Sequence, residues 1–238
     1  MGADEALEES PIDRFAQEAP PPEQPKAAPA SAKPPEVEQR AASTPLATTA
    51  QDLDGLRAAM EGFDGCALKQ GARNLVFSDG QAAARVMIVG EAPGREEDRI
   101  GKPFVGRSGQ LLDAMFAAIG LARDAEDPAH ALHITNTLPW RPPQNRDPST
   151  DEIAMMKPFL LRHIELADPE VLVLMGNPAT KTLLDTKTGI TRMRGIWAEV
   201  LGRPALPMFH PAALLRDPTK KALAWADLLA LKTKLEAP

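Results

Sequence analysis

The chain has 238 residues, 43% hydrophobic and 25% charged, with a formal net charge of −6. That is enough for one medium domain or two small ones with a real core. No apolar run is long enough to span a bilayer, the acidic, polar N-terminus (MGADEALEES) is unlike a signal peptide, and the single cysteine, Cys66, excludes an internal disulfide. The expected setting is a reducing cytoplasm.

Charge is unevenly spread. Residues 1–50 hold nine acidic and four basic side chains, so the rest of the chain is close to neutral. The acidic balance therefore describes mostly the first fifty residues and does not exclude an anionic partner for the remainder. Those fifty residues include APPPEQPKAAPASAKPPEVEQ, with little to bury. They are expected to form a disordered, Pro/Ala-rich acidic tail, followed by one domain over residues 51–238.

From there the pattern alternates. Leu53, Leu56, Met60 and Phe63 share one helix face. RVMIVG (85–90) reads as a buried strand. SGQLLDAMFAAIG (108–120) reads as a helix capped by Ser108 and ended by Gly120. HITNTLP (133–139) is a short strand. Ser149-Thr-Asp-Glu152 is a capping box that opens a helix running to about Leu166. VLVLMG (171–176) is a second buried strand with a helix after it, and PALPMFHP (204–211) contains a last strand. KKALAWADLLALKTKLE (220–236) closes the chain as an amphipathic helix.

Strands that are apolar throughout, alternating with helices, predict an α/β fold. The form expected is a three-layer α/β/α arrangement around a mostly parallel four-stranded sheet. Sites in such folds lie beyond the carboxyl ends of the strands. Glu91 with Pro93-Gly94, Asn136, Gly176-Asn177 and His210-Pro211 stand at those ends. A carboxylate, an amide and an imidazole would then converge on one edge. Gly90 and Gly94 flank a bend, but no Gly-Lys-Ser/Thr and no G-x-G-x-x-G follows, so a phosphate cradle lacks its motif. Taken alone, GEAPG also fits a strand-end turn with an exposed glutamate.

Four stretches occur in order: GEAPGREED, GKPFVGRSGQLLD, ITNTLPWRPPQNRDP and FHPAALLR. Together they resemble the family 4 uracil-DNA glycosylases over roughly residues 55–235. The resemblance implies a uracil-DNA glycosylase-like fold. It also implies a monofunctional hydrolase that cuts the N-glycosidic bond of uracil in DNA, the first step of base excision repair. No lysine stands at a motif position where a Schiff base would form. A base inside a duplex must be flipped out to be reached. Cleavage builds positive charge on the sugar and negative charge on the departing base, and polar groups aimed at those charges are the expected device.

By this resemblance Glu91 serves the sugar and its attacking water, and His210 donates to the leaving base. Ala92, Gly94, Phe104 and Asn136 form the substrate pocket, with Phe104 stacked on the ring and Asn136 reading its edge. Ser108, Arg141, Arg146 and Lys220 are candidates for phosphate contacts. Leu214, Leu215 and Arg216 are candidates for a wedge entering the duplex. His130, His133 and His163 are expected to be ordinary surface or edge residues.

Typical members of this family hold a 4Fe-4S cluster on four cysteines. The matching positions here read Phe63, Cys66, Trp140 and Met156. A cubane needs about four thiolates or equivalents, so no cluster and no metal are expected, and large apolar side chains are expected to fill its volume. The expected partner is uracil-containing DNA, bound by a monomer. Three alternatives stay open: a non-catalytic DNA-binding paralogue, a glycosylase for another deaminated base, and a nucleotide-binding enzyme.

Overall fold

The computed structural model describes residues 36–237, with side chains from Ser43 onward. In chain order it has helices α1 (Glu36–Thr49), α2 (Leu53–Gly62) and α3 (Leu68–Gly71), then strands β1 (Asp79–Gly80) and β2 (Val86–Gly90). Helices α4 (Arg95–Ile100) and α5 (Arg107–Ala117) lead to strand β3 (Leu132–Asn136), helix α6 (Thr150–Ala167) and strand β4 (Val171–Met175). Helices α7 (Gly176–Leu183) and α8 (Ile190–Met193), strands β5 (Ala198–Val200) and β6 (Arg203–Met208), and helices α9 (Pro211–Arg216) and α10 (Lys221–Glu236) complete the fold.

The strands form one sheet in the order β1-β3-β2-β4-β6-β5. Its middle four are parallel, with Ile88 level with Ile134 on one side and Val173 on the other, and Val173 level with Leu206. These are the four strands expected. The sheet has six among the described residues, because β1 and β5 add antiparallel edges to β3 and β6. The edges escape sequence reading because Asp-Gly and Ala-Glu-Val carry no apolar pattern, and their neighbours order them.

Helices cover both faces of the sheet. Val86, Ile88, Ile134, Val173 and Leu206 meet Leu112 and Phe116 of α5 and Leu228 and Leu231 of α10. Met87, Val89, Leu172, Leu174 and Ala205 meet Leu160 and Ile164 of α6 and Ala179 and Leu183 of α7. Burial on both sides is why these strands are continuously apolar rather than alternating. Each large side chain so buried contributes about 1.5–3 kcal/mol.

The capping box at the start of α6 forms: Ser149 Oγ accepts from the Glu152 amide at 3.1 Å, and Glu152 Oε2 accepts from the Ser149 amide at 2.8 Å. Helix α5 starts earlier than its sequence suggests, with Gly106 rather than Ser108 at its N-cap.

Two expectations need correction. Residues 36–49, assigned to the tail, form α1, which packs along α6. Ser43, Ala47 and Ala50 are buried there, and the Arg162 guanidinium donates to the Ala50 carbonyl at 2.7 and 3.1 Å. Small side chains allow this close approach, and their low hydropathy hides it from composition. The rest of the expected tail, residues 1–35, lies outside the described residues. The second correction concerns His133 and His163, which are buried. Their Nε2 atoms lie 2.8 Å apart, and Phe77 stacks on His163 at 4.4 Å. Burial pushes His133 down to about 4 and holds His163 well below the ordinary imidazole range. His130 is exposed beside Asp127, as expected of a surface residue. No helix among the described residues is long and apolar enough to cross a membrane.

Candidate active site

The site is built on the carboxyl ends of β2, β3 and β6. Strand β2 ends at Gly90, where nothing larger fits. A Cβ there would lie 2.3 Å from Asn136 Oδ1 and 2.6 Å from the Phe104 ring. The Gly90 carbonyl accepts from both the amide and the hydroxyl of Thr137, at 2.9 Å each, which ties the end of β2 to that of β3.

Ala92, Gly94, Glu97, Phe104, Ser108, Asn136 and His210 line a cavity of about 160 Å³. Pockets for drug-sized ligands run to about 300–1,000 Å³, so this one suits a single planar ring. Phe104 and His210 stack on one another, with centroids 5.3 Å apart and planes at 28°. No hydrogen bond within the described residues occupies the Asn136 amide.

His210 caps the N-terminus of α9, its Nδ1 accepting from the Ala212 amide at 3.1 Å. An accepting Nδ1 leaves the proton of a neutral imidazole on Nε2, which is then the donor. Burial pushes the His210 pKa down to about 4; the Arg216 charge acts in the same direction and Glu97 opposes it. The ring is therefore neutral at physiological pH.

A second cleft of about 400 Å³ adjoins the first and is bordered by Glu91, Asn145, Asp147, Asn177, His210 and Arg216. Burial raises the Glu91 pKa above the ordinary carboxylate range; Asp147 adds to the rise and Arg216 opposes it. His210 is the wall shared by the two spaces. Ala92, Gly94, Phe104, Asn136 and His210 thus line one cavity, whereas Glu91 borders only the second cleft.

The residues expected against DNA are dispersed. Ser108 is half-buried and lines the ring-sized cavity. Arg141 donates to Asn145 Oδ1 at 2.8 Å, and Arg146 pairs with both Glu152 oxygens at 2.5 and 2.9 Å, so both brace the loop before α6. Lys220 pairs with Asp217 at 3.0 Å and lies over the Phe209 ring. Leu214 corrects the wedge assignment. It is 1% exposed, packed with Ile190, Phe209 and Ala224. Leu215 is 38% exposed, and it is left with Arg216 at the outer surface of α9.

Sequence reading missed Glu97, Asn145 and Asp147. Glu97 lies in the run REED, which looks like a solvated charged face. Its Oε1 in fact accepts from the amides of Val105 and Gly106 at 3.0 and 2.9 Å.

Phe63, Cys66, Trp140 and Met156 meet in one buried apolar cluster with Phe159 and Leu138. They present a phenyl ring, a thiol, an indole and a thioether, which do not fit an iron-sulfur cubane. With one cysteine in the chain, a four-cysteine 4Fe-4S cluster cannot form. Burial also pushes the Cys66 thiol above its ordinary pKa, away from the thiolate that a metal needs. No group of three or more His, Cys, Asp or Glu among the described residues is placed to hold a metal ion.

A mostly parallel sheet with a ring-sized pocket beyond its carboxyl edge defines the class, and residues 77–229 match the model of the uracil DNA glycosylase superfamily. The type-4 uracil-DNA glycosylase of Thermotoga maritima is 40% identical over 154 residues, covering 64% of this chain and 77% of the relative. That of Archaeoglobus fulgidus is 41% identical over 161 residues (64% and 78%), and that of Sulfurisphaera tokodaii is 37% identical over 179 (70% and 77%). The chain belongs to the type-4 uracil-DNA glycosylase family.

Proposed function

We propose that this protein hydrolyses the N-glycosidic bond of uracil in DNA, acting on a base flipped out of the strand and using no iron-sulfur cluster. The observation that carries the reading is the ring-sized cavity walled by Phe104, Asn136 and His210 in a member of this family.

The chemistry follows from the walls. Phe104 offers a ring face to the base. The Asn136 amide both donates and accepts, matching an edge that carries an N–H beside carbonyls. The neutral His210 donates from Nε2 to the carbonyl on which charge develops as the bond breaks. Such a hydrogen bond strengthens towards the transition state and so lowers the barrier. Glu91 borders the second cleft, the space where the sugar and an attacking water would sit. As a carboxylate it stabilises the growing positive charge or orients the water. Leu215 and Arg216 form the tip that meets the duplex, and Arg141, bonded to Asn145 at the second cleft, serves as a phosphate contact.

The test is single-turnover release of uracil from single- and double-stranded DNA by anaerobically purified protein, with a panel of other deaminated bases alongside. Release of uracil, sharply reduced in Asn136→Asp where an acceptor replaces a donor, supports the reading. Binding of DNA without release of any base would leave a binding module, and preferential release of another base would change the substrate.

A further inference from the structure

Phe104 has φ of 53°, the left-handed region that a large side chain rarely adopts. Such a conformation persists only where its surroundings over-determine it. Here two charged side chains hold four polar groups of three consecutive peptides. Arg123 donates from Nη1 to the Pro103 carbonyl at 3.0 Å and from Nη2 to the Phe104 carbonyl at 2.8 Å. Glu97 Oε1 accepts from the next two amides, Val105 and Gly106. Beneath them Gly109 leaves the space: a Cβ there would lie 1.7 Å from the Phe104 carbonyl oxygen.

Arg123 is itself fixed. Its Nε donates to Asp113 Oδ1 at 2.9 Å, and Nη1 also reaches Asp79 Oδ2 at 2.9 Å. Asp79 pairs in addition with Lys102 at 2.9 Å. The short edge strand β1 and helix α5 are thereby connected to the backbone of the pocket's aromatic wall. Arg123 does not line the cavity.

We propose that Arg123 and Glu97 are positioning residues that clasp residues 103–106 and hold the Phe104 ring where a flipped base stacks. This rests on the uracil-release reading and adds to it the residues that set the aromatic wall. Arg123 acts through Phe104 alone. A planar guanidinium can serve two carbonyls and two carboxylates at once, which an ammonium cannot.

The experiment is a pair of double-mutant cycles. Arg123→Lys and Glu97→Gln are made in the wild-type and in the Phe104→Ala background, and single-turnover uracil release and melting temperature are measured for each. Arg123→Lys keeps a charge beside Asp79, so the fold is retained. In the wild-type background each substitution should slow release about tenfold, the scale of coupling between contacting groups. With Phe104 already truncated, the further loss from Arg123→Lys should be less than about twofold; Glu97 also lines the cavity and acts on His210, so Glu97→Gln is judged by hydrogen exchange. A loss from Arg123→Lys as large in the Phe104→Ala background, or no loss in either, would overturn the proposal. Amide hydrogen exchange at Val105 and Gly106 supplies a readout independent of activity. It should accelerate in Glu97→Gln, where a neutral acceptor replaces a carboxylate, and unchanged exchange would also overturn the clasp. Wild-type protein that releases no uracil would sink the reaction, while the exchange measurement would still decide the clasp.

Discussion

Replacing Trp140 with cysteine asks whether packing has taken over from a cluster. Trp140 is 3% exposed and shares a core with Phe63, Cys66 and Met156. An aromatic side chain of this kind buries about 150–250 Å². At about 25 cal/mol per Å² that burial contributes roughly 4–6 kcal/mol. Cysteine keeps a fraction of it and leaves a void, so the net loss should be about 3 kcal/mol, at the lower end of large-to-small aromatic changes. For a domain of about 200 residues each kcal/mol moves the melting temperature by about 2–4 °C, giving a fall of about 6–12 °C. Uracil release should fall as well, because Trp140 begins the loop that carries Asn145 and Asp147 to the second cleft. Thermal melting by circular dichroism, with iron and sulfide analysis after anaerobic purification, reads both parts. An unchanged melting temperature would refute the packing argument. Stoichiometric iron with acid-labile sulfide, in wild type or variant, would refute the argument that the ligand set is incompatible with a cluster.

Three further outcomes follow from the geometry. His210→Ala should slow base release far more than it weakens DNA binding, because its hydrogen bond matters most as the anion forms; equal losses in the two assays would remove that role. Deleting residues 1–35 should leave the melting temperature nearly unchanged, whereas deletion through Ala50 should lower it, since Ala47, Ala50 and the Arg162 bonds are lost; matching melts for the two truncations would contradict the docking of α1. Stability should decline on acidification. An unfolded chain protonates His133 near 6.5 and the folded chain only near about 4, so the folded state is favoured fully above 6.5 and progressively less as pH falls towards 4. Urea midpoints at pH 7.5, 5.5 and 4.5 measure this, and a double variant, His133→Leu with His163→Leu, that kept an equally steep dependence would show that the pair is not responsible.

The four parallel strands were legible because burial on both faces makes each an unbroken apolar run. Asn136 and His210 were legible as candidates because they stand at strand ends, and Phe104 only through the resemblance that its PFVG motif carries. What stayed hidden lacks a local signature. Helix α1 buries alanine and serine, which composition scores as tail. His133 and His163 are thirty residues apart and meet only because β3 and α6 pack together. Glu97 resembles its charged neighbours until the loop at Val105 folds back onto it. Leu214 and Leu215 are adjacent and chemically identical, and only the cluster around Ile190, Phe209 and Ala224 decides which of them faces inward.

That inward leucine has a consequence for encounter with DNA. Helix α9 is a short helix of six residues capped by His210, and Leu214 fastens its underside to the body. If Leu215 and Arg216 meet DNA as proposed, the backbone that carries them is ordered when the protein folds, not when it meets a strand. Ordering the tip need not slow association or subtract from affinity. In that role a stiff tip would leave the bending to the nucleic acid, so sites that unstack easily, such as mismatched or single-stranded bases, would be opened first.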